Sequence, residues 1–427
     1  MKIKTKQADY DAVCALPRAA HKLPRKPGMF WRLLMRVAAI RDLRAAHFTY
    51  TTEGMEQAGP GPYLILMNHS SFIDLEIVAR VFFRKPYCIV CTSDGFVGKE
   101  WFMRSLGCIP TQKFVPDLSL VGDLLYTLRD LQTSVLMYPE ASYSFDGTAT
   151  PLPRKLGVLL KKLDVPVVMV STRGAFSRDP LYNCLQKRKV PVSATVRCLL
   201  TREEIRQKPS KELTRALDEA FTFDNFAWQK ENEIRISETF RADGLNRILY
   251  RCAACEAEGQ MEGRGTRLTC RACGKTYEMD ELGQLHALEG ETRFSHIPDW
   301  YAWERQTVRQ ALLDGSYCLD VPVKIGMMVD YKAIYLVGEG RLHHDRAGFR
   351  LTGCGGRLTY TQPPLASYSL YADYYWYELG DVICIGEKDA LYYCFPQDCG
   401  DVVARTRLAA EELYKLVRSR ALAPDAL

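Results

Sequence analysis

Between residues 62 and 200, apolar positions come in short continuous runs rather than in residue-by-residue alternation. The runs are YLILM (63–67), YCIVC (87–91), SVLMY (134–138), VPVVMV (165–170) and ATVRCLL (194–200). Their length suits strands, and their continuity suits strands covered on both faces. Segments of helical length and period lie between several of them, at 75–83, 118–131 and 156–163. That order predicts an α/β domain with a mostly parallel sheet flanked by helices. Residues 201–248 read as charged helix and finish the domain. Residues 249–290 change character, being short of large apolar residues and rich in Cys and Gly. From about residue 299 the chain reads as short strands, with turns expected at Gly338-Glu339-Gly340, Arg346-Ala347-Gly348 and Glu387-Lys388-Asp389. Helical period returns at 401–422. The predicted division is an arm over 1–50, an α/β domain over 51–248, a small Cys-rich unit over 249–290, and a β-rich domain closed by a helix over 291–427.

Charge changes the picture at the N-terminus. The chain carries +6, but residues 1–50 hold eleven Lys and Arg against three acids, which leaves −2 for the remainder. A basic arm of this kind suits anionic lipid, at about 1 kcal/mol per basic residue near the surface. A solvated charged tail is the plainer alternative. Residues 29–44, MFWRLLMRVAAIRDLR, read as a helix with Phe30, Trp31, Leu33, Leu34 and Val37 over most of its surface. It suits either the membrane interface or packing on the next domain. No run of about 18 apolar residues lacks a charge, so no spanning helix is expected, and the first residues do not read as a signal peptide. Fifteen cysteines, many in apolar surroundings, suit a reducing compartment. The expected location is cytoplasmic, peripheral at the inner face of the membrane.

The first candidate chemistry is Asn68-His69-x4-Asp74. In a regular helix a spacing of five separates side chains by about 140°, so His69 and Asp74 meet only across a turn. The strand-to-helix junction at Asn68-His69-Ser70-Ser71 supplies one, at the strand end where α/β sheets place their sites. Neutral His can take a proton from a hydroxyl while a carboxylate fixes its tautomer. Equally, Ser71-Phe72-Ile73-Asp74 fits a helix N-terminal capping box, which would give Asp74 a purely structural task.

Three further segments decide between these readings. Lys99-Glu100 with Gly107 through Lys113, then Pro139-Glu140-Ala141-Ser142, then Val165-Pro166 follow in order. With Asn68-His69-x4-Asp74 they resemble the four motifs of the glycerolipid acyltransferase superfamily, which includes the 1-acylglycerol-3-phosphate acyltransferases. The resemblance spans about residues 51–200. It implies a glycerolphosphate acyltransferase-like fold, with His69 as general base and Asp74 as its partner. The donor would be an acyl thioester, acyl-CoA or acyl carrier protein, and the acceptor a lysophospholipid hydroxyl. Lys113, Glu140, Ser142, Arg154 and Lys155 would hold the acceptor, with basic groups on its phosphate. Backbone N–H groups of the turn after His69 are the expected oxyanion donors. One position departs from the family: its third motif runs Glu-Gly-Thr-Arg, and here Tyr143 replaces the arginine that commonly meets the phosphate. Either Arg154 or Lys155 takes over, or the acceptor is not a simple lysophosphatidic acid. The departure also motivates an alternative, a catalytically retired fold serving as a lipid-binding or scaffold protein.

The second candidate chemistry is Cys252-x2-Cys255 and Cys270-x2-Cys273, fourteen residues apart. This is the spacing of a four-cysteine zinc ribbon, and so small a unit needs the metal as its core. Six acids dilute Arg264, Arg267 and Arg271, so a nucleic-acid partner is not expected. In the β-rich domain, Tyr371, Tyr374, Tyr375, Trp376 and Tyr377 read as core plus one exposed face. Strands closed by a terminal helix are similar in layout to pleckstrin-homology-like or GRAM-like domains. His343-His344 reads as solvated. Oligomeric state is left open.

Overall fold

The computed structural model describes residues 2–422. A seven-stranded sheet forms the first domain, in the order Thr49–Glu53, Ser193–Leu200, Val167–Arg173, Leu64–Met67, Ser134–Met137, Tyr87–Thr92, Cys108–Thr111. Every neighbouring pair is parallel except Val167–Arg173 with Ser193–Leu200. The central strand Leu64–Met67 is buried along its whole length, which is why its apolar run is unbroken. Ile65 and Met67 face one core with Ile73, Ile77 and Val78, from helix Ile73–Val81. Leu64 and Leu66 face the other, with Leu124, Leu160, Leu213 and Leu217 from helices Leu118–Arg129, Leu156–Leu163 and Ser210–Ala220. The mostly parallel, helix-flanked sheet is as expected.

Two strands of this sheet carry no apolar run. Thr49–Glu53 is exposed at all five positions and pairs on one side alone. Cys108–Thr111 contains Pro110, which an edge strand tolerates because the missing N–H faces no partner.

Residues 249–290 form a four-stranded antiparallel sheet of Met261–Arg264, Arg267–Cys270, Thr276–Met279 and Leu285–Ala287. The region after it is not β-rich from the start, as the sequence had suggested: helix Ile297–Asp314 comes first, with Pro298 in its first turn and Gly315 ending it in the left-handed region. Its aromatic-rich N-terminal half, with Trp300 fully buried, obscures the helical stripe.

The C-terminal sheet runs Leu358–Gln362, Gly348–Gly353, Ile334–Asp345, Leu319–Met328, Ala390–Pro396, Gly380–Glu387, Tyr371–Trp376, with every neighbouring pair antiparallel. Turns stand at Arg346-Ala347 and Lys388-Asp389 as expected. Gly338-Glu339-Gly340 is not a turn; it lies inside the strand Ile334–Asp345, beside a register shift at Ile325/Gly326. Glycine is needed there for close approach, since a Cβ on Gly340 would meet the Thr352 carbonyl at 2.2 Å. The terminal helix Val403–Arg418 packs on Ile297–Asp314 and on Tyr371–Trp376.

The N-terminal residues tie these parts together. Strand Thr5–Gln7 pairs in parallel with Ile334–Leu336 of the C-terminal sheet. Asp9 and Asp11 both pair with Arg357. Lys22 then reaches Glu100, and helix Met29–Ala45 packs on Ile73–Val81. The basic segment 2–50 therefore lies along both large domains.

Candidate active site

The strand Leu64–Met67 delivers Asn68, His69 and Ser70 to the C-terminal edge of the sheet. Asn68 is buried and pins this end to the neighbouring strand: its Oδ1 accepts from Thr172 N at 2.8 Å, and its Nδ2 donates to Ser70 Oγ and Thr172 Oγ1, both at 2.9 Å. The chain turns through Ser70-Ser71, and helix Ile73–Val81 begins. Asp74, in its first turn, is fully buried. One oxygen, Oδ2, receives three groups: Ser70 N at 2.8 Å, Ser71 N at 3.1 Å and His69 Nδ1 at 3.1 Å. The capping box expected at Ser71 is not formed: the helix is capped at Phe72 without a side-chain bond, and Asp74 instead gathers the turn N–H groups and the His69 ring on one oxygen. The backbone N–H groups expected to serve as oxyanion donors are taken. Ser70 N and Ser71 N are spent on Asp74, and His69 N donates to Glu140 Oε2 at 2.9 Å.

This arrangement sets the proton positions. A carboxylate oxygen that already accepts two N–H bonds takes the His69 Nδ1 proton as donor, so Nε2 carries the free lone pair. Burial lowers the His69 pKa well below its usual value, and the Lys113 charge adds to this. Burial also pushes the Asp74 carboxyl up to about 7, against the N–H groups of Ser71 and Ser70. Its second oxygen, Oδ1, is buried without a hydrogen-bond partner. Asp179 lies close by, pushed up to about 6 by burial and held down in part by Ser71 and Arg178.

The His69 ring is stacked between two tyrosines. Tyr138 lies on it at 4.1 Å between centroids and 28° between planes, and Tyr143 at 4.0 Å and 29°. Its side chain keeps 16% exposure. Tyr143, the departure from the family motif, thus covers the candidate base itself. The loop that carries Tyr143 is braced from both sides. Glu140, fully buried, accepts from His69 N and from Thr150 N and Oγ1 at 2.9–3.0 Å. Arg407 of the terminal helix donates to the Tyr143 carbonyl at 3.3 Å, and its guanidinium stands over Phe145 at 4.4 Å.

The five residues predicted to hold the acceptor do not gather in one place. Glu140 is a brace for the two motif loops. Ser142 is buried and donates to the Tyr143 carbonyl. Lys113 stands near His69, 4.3 Å above the Tyr371 ring. Arg154 and Lys155 are exposed at the start of helix Leu156–Leu163, Arg154 acting on Asp218 of helix Ser210–Ala220. The C-terminal domain adds residues that no local motif announced. Tyr371 and Trp376 donate to Asp94 Oδ2 of the first domain at 2.5 and 3.3 Å. Asp373, pushed up to about 6 by burial and opposed by Lys113, faces the same region.

Cys252, Cys255, Cys270 and Cys273 converge, with all four Sγ atoms within 4.8 Å of one another. Cys252–Cys273 and Cys255–Cys270 stand at 3.8 and 3.7 Å. Four sulfurs about 2.3 Å from a tetrahedral centre lie roughly 3.8 Å apart, so this set fits such an ion. His344 is not solvated as expected; it is buried, stacked on Phe349 at 3.8 Å and bonded to Tyr317. It faces the core, and His343 instead bonds Asp345.

Residues 49–173 match the acyltransferase family model, so the chain carries an acyltransferase domain. Among solved structures, the chain is similar to the 1-acyl-sn-glycerophosphate acyltransferase PlsC from Thermotoga maritima, with 17% identity. That match covers 48% of this chain and 81% of the other, with a TM-score of 0.34. No curated protein matches.

Proposed function

We propose that the chain transfers a fatty acyl group from an acyl thioester, acyl-CoA or acyl carrier protein, to the hydroxyl of a lysophospholipid. The observation that carries this reading is the His69–Asp74 pair, with Nε2 left free, inside the matched acyltransferase domain. The acceptor hydroxyl gives its proton to Nε2 as its oxygen attacks the thioester carbonyl carbon. Asp74 stabilises the imidazolium that forms. The tetrahedral intermediate collapses, the carbon–sulfur bond breaks, and the thiolate takes the proton back from His69. The products are an ester and a free thiol. Lys113 is the cation best placed for an acceptor phosphate. A zinc ion held by Cys252, Cys255, Cys270 and Cys273 has a structural role.

The reaction takes place at an anionic lipid surface. Support comes from helix Met29–Ala45, which buries Ala39 and Leu43 and leaves Phe30, Leu33 and Val37 about half exposed or more. Trp101, 71% exposed, extends this face through Trp31, 5.6 Å away. Arg25 and Lys26 are exposed just before it. Apolar rings flanked by basic groups are the pattern of an interfacial surface. Among the described residues no helix is long and apolar enough to cross a membrane.

The test is thiol release from an acyl-CoA, with lysophospholipids presented in vesicles. Release that needs both a lysophospholipid and anionic lipid is expected. Equal rates on neutral vesicles contradict the surface reading. No release with any acceptor favours the alternative of a retired fold that binds lipid.

A further inference from the structure

Behind the His69–Asp74 pair lies a second buried carboxyl, Asp179, with no part in the proton transfer. Strand Val167–Arg173, whose Thr172 clamps Asn68, ends at Gly174. Gly174 sits in the left-handed region, and a Cβ there would meet the Pro191 carbonyl at 2.2 Å. The chain continues through the short helix Ala175–Arg178 and brings Asp179 up to the turn after His69.

Arg178 and Asp179 are nearly sealed from solvent, at 4% and 3% side-chain exposure. Arg178 Nη1 donates to Asp179 Oδ2 at 3.2 Å, and its Nη2 stands 3.4 Å from Asp42 Oδ2 of helix Met29–Ala45. Asp42 also holds the exposed Lys187. The guanidinium is thus shared between two carboxylates and does not cancel Asp179 alone. Glu76 borders the same group, pushed up to about 7 by burial and by Asp42. Ser71 reaches both carboxyls behind the ring: its N–H donates to Asp74 at 3.1 Å, and its side chain favours the charged form of Asp179. Each carboxyl keeps one buried oxygen without a partner, Asp74 Oδ1 and Asp179 Oδ1. The Asp74 charge opposes ionisation of Asp179, and Tyr143 over the His69 ring feels both charges.

His69 gains from such a neighbour. Burial and Lys113 both weaken it as a base, and a general base works best with a pKa near the working pH. The two N–H groups on Asp74 weaken that carboxylate as an acceptor in turn. A second negative charge behind Asp74 opposes this loss, because a carboxylate beside a like charge binds protons more tightly.

We propose that Asp179 is a positioning residue for the His69–Asp74 pair: it braces the turn through Ser71, and its charge, held by Arg178, strengthens Asp74 as the partner of the His69 imidazolium. The assignment rests on the acyltransferase reading above. It also ties helix Met29–Ala45 to the site, since Asp42 takes the other side of Arg178.

The experiment reads the carboxyls without turnover, in the full chain isotope-labelled at aspartate Cγ. The Asp74 and Asp179 carbons are assigned by their loss in Asp74→Asn and Asp179→Asn and followed by NMR as pH falls. Asp179→Asn should lower the Asp74 midpoint, and Asp74→Asn the Asp179 midpoint, each by roughly one unit. The second reading stands if the first variant folds poorly. Arg178→Gln should raise the Asp179 midpoint, and Arg178→Lys should restore most of it. Midpoints that stay put in both asparagine variants overturn the proposal. Thiol release is scored separately. Asp179→Asn should lower kcat about tenfold at unchanged KM and move the acid limb to lower pH, a combination that a loosened fold does not produce. A lower kcat with an unmoved limb overturns the positioning role. Coupled midpoints in a chain that releases no thiol uphold the coupling and remove the catalytic reading alone.

Discussion

His69 is held by more partners than its motif advertises. Asp74 orients it, Tyr138 and Tyr143 sandwich it, and Glu140 anchors its backbone. Spacing allowed Asp74 two readings, helix cap or catalytic partner; the helix is capped at Phe72 instead, and one Asp74 oxygen accepts from both the turn and the ring. The pH behaviour follows from burial. A carboxyl raised to about 7 takes up its proton there, so the productive pair exists above that pH and is lost as pH falls through it. Acyl transfer should therefore lose rate below about pH 7. An acid limb in the ordinary carboxylate range, about pH 4, contradicts this. The third-motif loop stores strain at Ala141, whose φ of 55° lies where a Cβ is unwelcome. The similar family places glycine there. Ala141→Gly should raise stability by about 0.5–1 kcal/mol, after allowing for the freer unfolded chain. A lower midpoint in urea would refute the strain account.

Elements were legible in proportion to how far burial alone shaped them. The strands with unbroken apolar runs, and helix Leu156–Leu163, stand where periodicity put them. The edge strands Thr49–Glu53 and Cys108–Thr111 were missed because an edge is set by a neighbour's hydrogen bonds and leaves no apolar signature. Gly338 and Gly340 imitated a turn because strand crossing and turning both call for glycine. The cysteine knuckles were legible because coordination geometry constrains spacing directly. Met261–Arg264, Arg267–Cys270 and their neighbours are too short to fold around apolar residues alone, so the metal should be part of the unit's stability. Metal analysis should find about one zinc per chain, and Cys252→Ser should lose it together with local protection from proteolysis. A full zinc complement in that variant contradicts the ribbon.

On the scale of the whole molecule, the N-terminal strand, the Asp94–Tyr371–Trp376 cluster and Arg407 join the acyltransferase domain to the C-terminal one. The contacts that cross between the domains could not be read from the chain, because they join residues more than 250 positions apart whose local sequence carries no mark of the other. The residues expected to hold an acceptor suffered most from this. Lys113 stays near His69, while Arg154 and Lys155 lie on an outer helix, and Tyr371 and Asp373 arrive from the far end of the chain. The contact of His69 with Asp74, by contrast, was legible because five residues and one turn contain it. The most direct test of the account is the rate of thiol release from acyl-CoA, with lysophospholipid present, for the native chain and for His69→Ala at equal zinc content and equal thermal stability. The account predicts release by the native chain and a loss of about 10²–10⁴-fold in the variant. Equal rates in the two would contradict it.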